Sequence, residues 1–576
     1  MMVCAAFPLR MNASFPMVRN FPATLHPGGS QTWQIGCDTL GRMVFGNKNG
    51  LLEFDSSRWL LTGLPHGSAV RSFMLDKGPD GTRRIYVGGS EEFGYYECGT
   101  GRDIRRYVSL TPLLPDGFPS FREVWKVHRM EGSKTIWFQA DNEIFRYDGS
   151  KITPIHVNNR ITTSAVVGGK LFIATHGGGV SELIDRRLQP VDMGDLPATA
   201  RVVALLPYNS RILVVTEYDG LFLLEKGRLQ ALKTDLDPFL KSNQVFCAAV
   251  REGRFAFGTV SMGVVVKNFS TGRTAYANTA TGLQNNTVLA MYFDDDLNLW
   301  LGLDNGIDMV MTSLPYYSLL GKSSVYGAGY MSLRAGNRLF LGTNQGLYSL
   351  AFPMPDTADP PHLTPIMRGQ VWDISELEGD IFVCTDAGVS YSRGGGAFLS
   401  IPGLEGSWCA IPLDEYPGYA VVSTYGRLHI IRKEAGMWRD TGEVTGYDDI
   451  GGHLKHDECG NIWLSHWQKG VYCLRIDPLR RKVVSRKFYN SRNGFPTDHN
   501  IGMVMFGGSP LFSTEGGFYR LSDDGIMRAD TSMNRLLGMA PAPSVHISPE
   551  GDIWSVTGTC ITRAWKKPTV RPGRIR

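Results

Sequence analysis

One short motif recurs along the chain, and its spacing constrains the fold more than any other feature. It reads as a turn, an apolar strand with an aromatic residue, a small residue, two or three polar residues, a glycine, then a second apolar strand. Clear copies are Gly41–Leu52, Leu297–Ile307 and Gly336–Tyr348. Weaker copies begin at Arg84, Thr135, Lys170, Arg211, Arg254, Asp380, Tyr419, Asn461, Pro510 and Asp552. In most, one glycine opens the second strand: Gly50, Gly94, Gly179, Gly220, Gly263, Gly306, Gly346, Gly388, Gly470 and Gly517. A period of about 42 residues, with two or more short strands per unit, is the length of a four-stranded propeller blade. Solenoid repeats are shorter or helical, and no 3.6-residue periodicity recurs here.

The other two strands of each unit are also visible. A β-branched or aromatic segment precedes each copy, as in Val70–Asp76 and Val288–Asp294, and reads as the innermost strand lining a channel. Ahead of it lies a loop such as Gly63-Leu64-Pro65, Gly117-Phe118-Pro119, Gly282–Asn286 or Gly494-Phe495-Pro496. Gly, Pro and Asn there mark a tight connection to the next blade. Thirteen copies exceed the four to eight blades of a typical ring. Seven end near residue 311, and Thr312–Ser318 breaks the loop signature. The expected fold is therefore all-β, with two tandem β-propellers. The first has seven blades over residues 21–312. The second covers 313–564, with six blades, or seven with the last missing or supplied by another segment. Residues 1–20 read as a signal remnant or a disordered N-terminus, and 565–576 as a basic disordered tail.

Composition agrees with an all-β chain. Glycine is 67 of 576 residues, about 12% against a usual 7%, with 11% aromatic and 20% charged residues. That balance excludes a coiled coil and a disordered chain. Lys+Arg minus Asp+Glu is 59 − 55 = +4, too even to imply a nucleic-acid partner. The 9 cysteines are odd in number and show no C-x-x-C spacing, which argues against a disulfide framework or zinc ribbon. No apolar run approaches 18 residues, so no membrane-spanning helix is expected.

The motif Gly342-Thr343-Asn344-Gln345-Gly346-Leu347-Tyr348 resembles the two-component-regulator propeller repeat. Trp33–Asp55, Ile85–Tyr96 and Gly302–Ser313 are similar to blades of a large Bacteroidetes family, and the resemblance spans about residues 17–565. It implies the periplasmic sensor region of membrane-anchored transcriptional regulators and hybrid two-component systems, which senses glycan fragments. The partners it implies are an oligosaccharide or other small ligand, the membrane and output domains of a full regulator, and a second copy of the chain. It implies no cofactor and no bound nucleic acid. The family's β-sandwich, membrane helix and output domain do not follow the blades here, so the expectation is a truncated form without its own output.

Candidate ligand residues lie on the face carrying the inter-blade loops and the turns between second and third strands. Trp33, Trp125, Trp372 and Trp408 begin innermost strands. Asn49, Glu92, His176, Tyr218, Asn305, Asn344, His466 and Trp467 occupy turns. Aromatic surfaces beside amides and carboxylates suit sugars, whose C–H faces stack and whose hydroxyls need hydrogen-bond partners. Asn and Asp before Gly are also ordinary turn residues, and strand tryptophans ordinarily pack. His453–Cys459 holds three metal-ligand types, but it falls on an innermost strand, where residues three apart face opposite ways; no metal is expected. The adjacent acids Glu91-Glu92, Asp294–Asp296 and Asp448-Asp449 are the glycosidase alternative, with Asp294–Asp296 reading as a turn. No G-x-S-x-G or H-E-x-x-H motif is present, and a non-enzyme is expected. A protein-interaction scaffold is the remaining alternative.

Overall fold

The computed structural model describes residues 13–14, 16–38, 41–77, 83–99, 104–130, 132–313, 325–353, 363–537, 544–547, 553–557 and 560–565. The chain divides into two compact units, one formed mainly by Met11–Lys322 and the other mainly by residues from Ser323 onward. Among the described residues thirteen sheets follow one another along the chain, seven in the first unit and six in the second. Apart from strands that the chain start adds to the sixth and seventh, each is an antiparallel meander in chain order, as in Thr32–Cys37, Met43–Asn47, Gly50–Phe54 and Trp59–Thr62. The first strands of successive sheets pack together, and in the first unit Val288–Phe293 returns onto Thr32–Cys37. Both units are β-propellers.

The recurrent residues now have physical reasons. The two strands of each copy are the second and third of a sheet, sandwiched between neighbouring sheets. Hence Met43–Asn47 and Gly50–Phe54 are buried throughout, whereas the outer strand Arg187–Pro190 is mostly exposed. The glycine leaves room for the outermost strand. A Cβ on Gly263 would lie 2.1 Å from the Ala277 carbonyl oxygen, and one on Gly470 2.3 Å from that of Tyr489. The threonine staples the turn: Thr259 Oγ1 donates to the Gly263 carbonyl at 3.0 Å, and Thr385 Oγ1 to that of Gly388 at 2.9 Å.

The acidic segments are turns as well. Asp294 accepts from the Asn298 backbone N–H at 2.8 Å and from Trp300 Nε1 at 3.0 Å. Asp457 does the same for Asn461 at 2.8 Å and Trp463 Nε1 at 2.7 Å. One carboxylate thus closes a hairpin and satisfies a buried indole.

Residues 17–20 correct the sequence reading. Met17–Phe21 is a strand, antiparallel to Ile307–Met311, and forms the fourth strand of the seventh sheet. Its apolar residues fill a seam: Phe21 stacks on Trp300 at 5.4 Å, and both join Ile35 and Phe45 in one cluster. The end of the segment read as a signal remnant or disordered N-terminus is thus a closing strand. Ala13–Ser14 adds a parallel fifth strand to the sixth sheet. The last sheet of the second unit holds Ser544–Ile547, Ile553–Thr557 and Cys560–Trp565, so Trp565 belongs to a strand. The rest of the basic tail lies outside the described residues. Among the described residues no helix is long and apolar enough to cross a membrane.

Candidate functional site: the two channel mouths

A β-bulge builds each mouth. Near the start of the innermost strands the ladder skips one residue: Trp33 between Thr32 and Gln34, Arg71 between Val70 and Ser72, Tyr330 between Gly329 and Met331. Trp372 and Trp408 occupy the same step. A bulge frees one side chain from the pleat and re-aims it. Turn bonds tie this step to the face carrying the second-to-third-strand turns, as in Lys48 N–H to the Gln31 carbonyl and Glu217 N–H to that of Arg201.

The first mouth is filled. The Arg71 guanidinium lies 4.1 Å from the Trp33 ring and 5.3 Å from that of Trp125, and the two indoles meet edge-on at 5.7 Å. Glu123 takes the arginine in a two-pronged pair at 2.8 and 3.3 Å. Cation and carboxylate satisfy each other over the two rings, while Trp33 Nε1 is buried with no acceptor among the described residues. Beside it, a cavity of about 350 Å³ is lined by Phe118, Phe121, Arg122, Asp141 and Arg160. Asp141 is already engaged by Trp125 Nε1 and Arg160.

The second mouth is open. Tyr330 stacks on Trp372 at 5.5 Å, Trp372 meets Trp408 at 4.6 Å, and Trp408 meets Tyr425 at 5.1 Å. Trp372 Nε1 donates to the Tyr425 hydroxyl at 2.8 Å, which fixes the wall's geometry. Tyr330 is 39% and Tyr425 42% exposed, and among the described residues no cation covers either tryptophan. Trp408 Nε1 is buried with no acceptor. Deeper lie Asp373, Lys455 and Cys409. Burial pushes the Asp373 carboxyl up to about 6, against the opposing pull of Lys455. Burial also lowers His453, helped by the same lysine.

The structure thus brings together Trp33 with Trp125, and Trp372 with Trp408. The other candidates stand apart. Asn49, His176, Tyr218, Asn305 and Asn344 are exposed on separate turns, and Asn344 also receives the Ala328 N–H. Trp467 is 57% exposed on its own turn. Glu92 is engaged rather than free, accepting from Tyr107 at 2.9 Å and Ser109 at 2.7 Å. His466 is buried, because its Nδ1 caps the turn by accepting the Gln468 N–H at 3.1 Å. Sequence reasoning missed Arg71, Tyr330 and Tyr425. For Arg71 and Tyr330 the available signal was position alone, the residue after the small or β-branched residue that starts each inner strand. In the metal-like segment, His456 pairs with Asp414 at 3.2 Å and Asp457 is held in its turn. Among the described residues no three His, Cys, Asp or Glu side chains are arranged to hold a metal.

No family model and no curated protein matches the chain. Among solved structures, it is similar to the extracellular domain of a protein described as the hybrid two component system BT3049 from B. thetaiotaomicron. Identity is 15% over 94% of this chain and 82% of that one, with a TM-score of 0.56. The chain has the fold of that extracellular domain. The extracellular domain of the one component system BT4673 from the same organism matches at 17% identity over 97% of this chain and 78% of that one, with a TM-score of 0.42. Virginiamycin B lyase from Staphylococcus aureus matches 51% of this chain and 98% of its own at 12% identity, with a TM-score of 0.41.

Proposed function

We propose that this chain is the ligand-sensing region of a periplasmic signal-transduction regulator and that its ligand is a glycan. The observation that carries the reading is the open wall Tyr330–Trp372–Trp408–Tyr425 at the second mouth. Fixed aromatic faces suit the C–H faces of a pyranose. Fold likeness to a bacterial sensor's extracellular domain supports the same reading. The role is recognition rather than catalysis, since Glu92, Asp294 and Asp457 are each engaged in structural bonds. In this reading the membrane and output domains of the regulator, and a second copy of the chain, act on the bound state.

A glycan array probed with the purified chain tests this. Retention of oligosaccharides is expected, with Trp372→Ala and Trp408→Ala each weakening it at least about tenfold and Trp33→Ala leaving it unchanged. Turnover of a glycoside that a single carboxylate substitution abolishes, or retention of no glycan, would overturn the proposal.

A further inference from the structure

We infer that the glycan taken at the second mouth is acidic, with an anionic substituent, carboxylate or sulfate, passing the aromatic wall to reach Lys455. The inference rests on the glycan reading above and adds the charge of the ligand.

The placement comes from strand geometry. His453 packs near Trp408 at 6.1 Å, at the level of the wall. Lys455 stands two residues further along the innermost strand Leu454–His456, while the intervening Leu454 is 1% exposed in the core. Residues two apart share a face and lie about 6–7 Å apart along a strand. Lys455 therefore follows His453 one step into the channel, and both side chains are exposed there. His546, from the last sheet, is exposed too, and Lys455 is the one charge that reaches both histidines.

Lys455 has no counter-ion in contact among the described residues. Among the described residues it forms no hydrogen bond and no ion pair. Lys433 and Lys267 do: Lys433 meets Asp380 at 2.7 Å, and Lys267 is held by Asp235 and by Thr274 at 3.0 Å. Asp373 is the nearest acid and attracts the lysine, but it is 9% exposed and makes no ion pair with it. The two histidines carry lowered basicity and supply neutral polar groups rather than charge. Asp386 and Glu405, on neighbouring turns, are open to solvent. A single unpaired cation inside a low-dielectric wall focuses field on an anion entering the mouth. At the first mouth Glu123 already occupies the Arg71 that stacks on the aromatic rings.

The test uses arrays printed with matched pairs. Oligogalacturonides and glucuronate-bearing oligosaccharides stand beside their carboxyl-reduced forms, and sulfated glycans beside desulfated ones. The full chain is expected to retain acidic members at least tenfold more strongly. Lys455→Met should remove that preference while neutral retention persists, and Lys455→Arg should keep it, which separates lost charge from lost folding. Equal retention within pairs, or a preference that survives Lys455→Met, overturns this inference while glycan sensing stands. Retention of no glycan overturns both.

Discussion

The two rings differ most where each begins and ends. In the first, Met17–Phe21 crosses from ahead of the first sheet to pair with the seventh, and Phe21, Ile35, Phe45 and Trp300 seal the seam. In the second, the last sheet packs on the fifth through Leu511, Phe518, Met533 and Ile553. Among the described residues no apolar cluster joins it to the sheet starting at Gly329. A blade has two apolar faces, and a strand borrowed from the other end of the ring commits both to burial at once. The first ring should therefore resist partial opening better. Amide exchange is expected to be slower over 32–311 than over 329–565, and equal protection of the two would remove the contrast.

The sharpest way to break it is at the seam. Phe21 is 5% exposed and contacts Phe54, Trp59 and Trp300. Phe21→Ala should cost the first unit about 3–5 kcal/mol, the usual loss for a buried phenylalanine. Two domains need not unfold together, so the two transitions are followed by exchange in each unit across a denaturant series. A loss below about 1 kcal/mol, or an equal loss in both units, would show that the seam does not set first-ring stability.

The repeat count and the strand order were legible in the sequence because each blade solves the same packing problem. Gly263 and Thr259 recur as types because a carbonyl and a turn demand them. The closing strand was not legible: Met17–Phe21 lacks the motif, since it is one strand without its partners. At the site, Trp372 and Trp408 were legible as aromatic strand starts, but Tyr330 and Tyr425 were not. Tyr425 follows Thr424 in a turn where other copies carry residues as different as His176, Glu217, Asn344 and Asp386, so nothing local marks it as part of a wall. Whether a mouth is filled or open depends on Arg71 and Glu123, which are 52 residues apart. Spacing along the chain carries no sign of that pairing.

A smaller effect probes the turns. Gly263 has a φ of +72°, and a Cβ there would collide with the Ala277 carbonyl; at Gly388, with φ of +125°, the Leu404 carbonyl is 3.2 Å away. Left-handed backbone costs a non-glycine residue about 1–2 kcal/mol, and a hard clash adds more. Gly263→Ala should cost about 3 kcal/mol and Gly388→Ala about 1–2 kcal/mol, read as each unit's unfolding midpoint. The reverse order would show that the second ring's turns are the more tightly held.

The smallest expected effect separates the rings by sign. In the first, burial, then the charge of Lys126, pushes the His128 imidazole down to about 3. Below about pH 6.5 the unfolded chain takes a proton that the folded ring refuses, so first-ring stability is lost as pH falls from about 6.5 towards 3. In the second, burial holds Asp373 at about 6. Between about pH 4 and 6 the folded ring keeps a proton that the unfolded chain has released, so second-ring stability is lost as pH rises through that window. Acidification from pH 7 to 4.5 should therefore weaken the first ring by about 1–2 kcal/mol, reduced because His128 is partly open to the channel, and strengthen the second. Asp373→Asn should stabilise the second ring by about 1–3 kcal/mol at pH 7 and have no effect below pH 4. Denaturant midpoints of each unit at pH 4.5, 5.5 and 7 decide the matter: slopes of the same sign, or an Asp373→Asn gain that persists at pH 3.5, would place the titrating groups elsewhere.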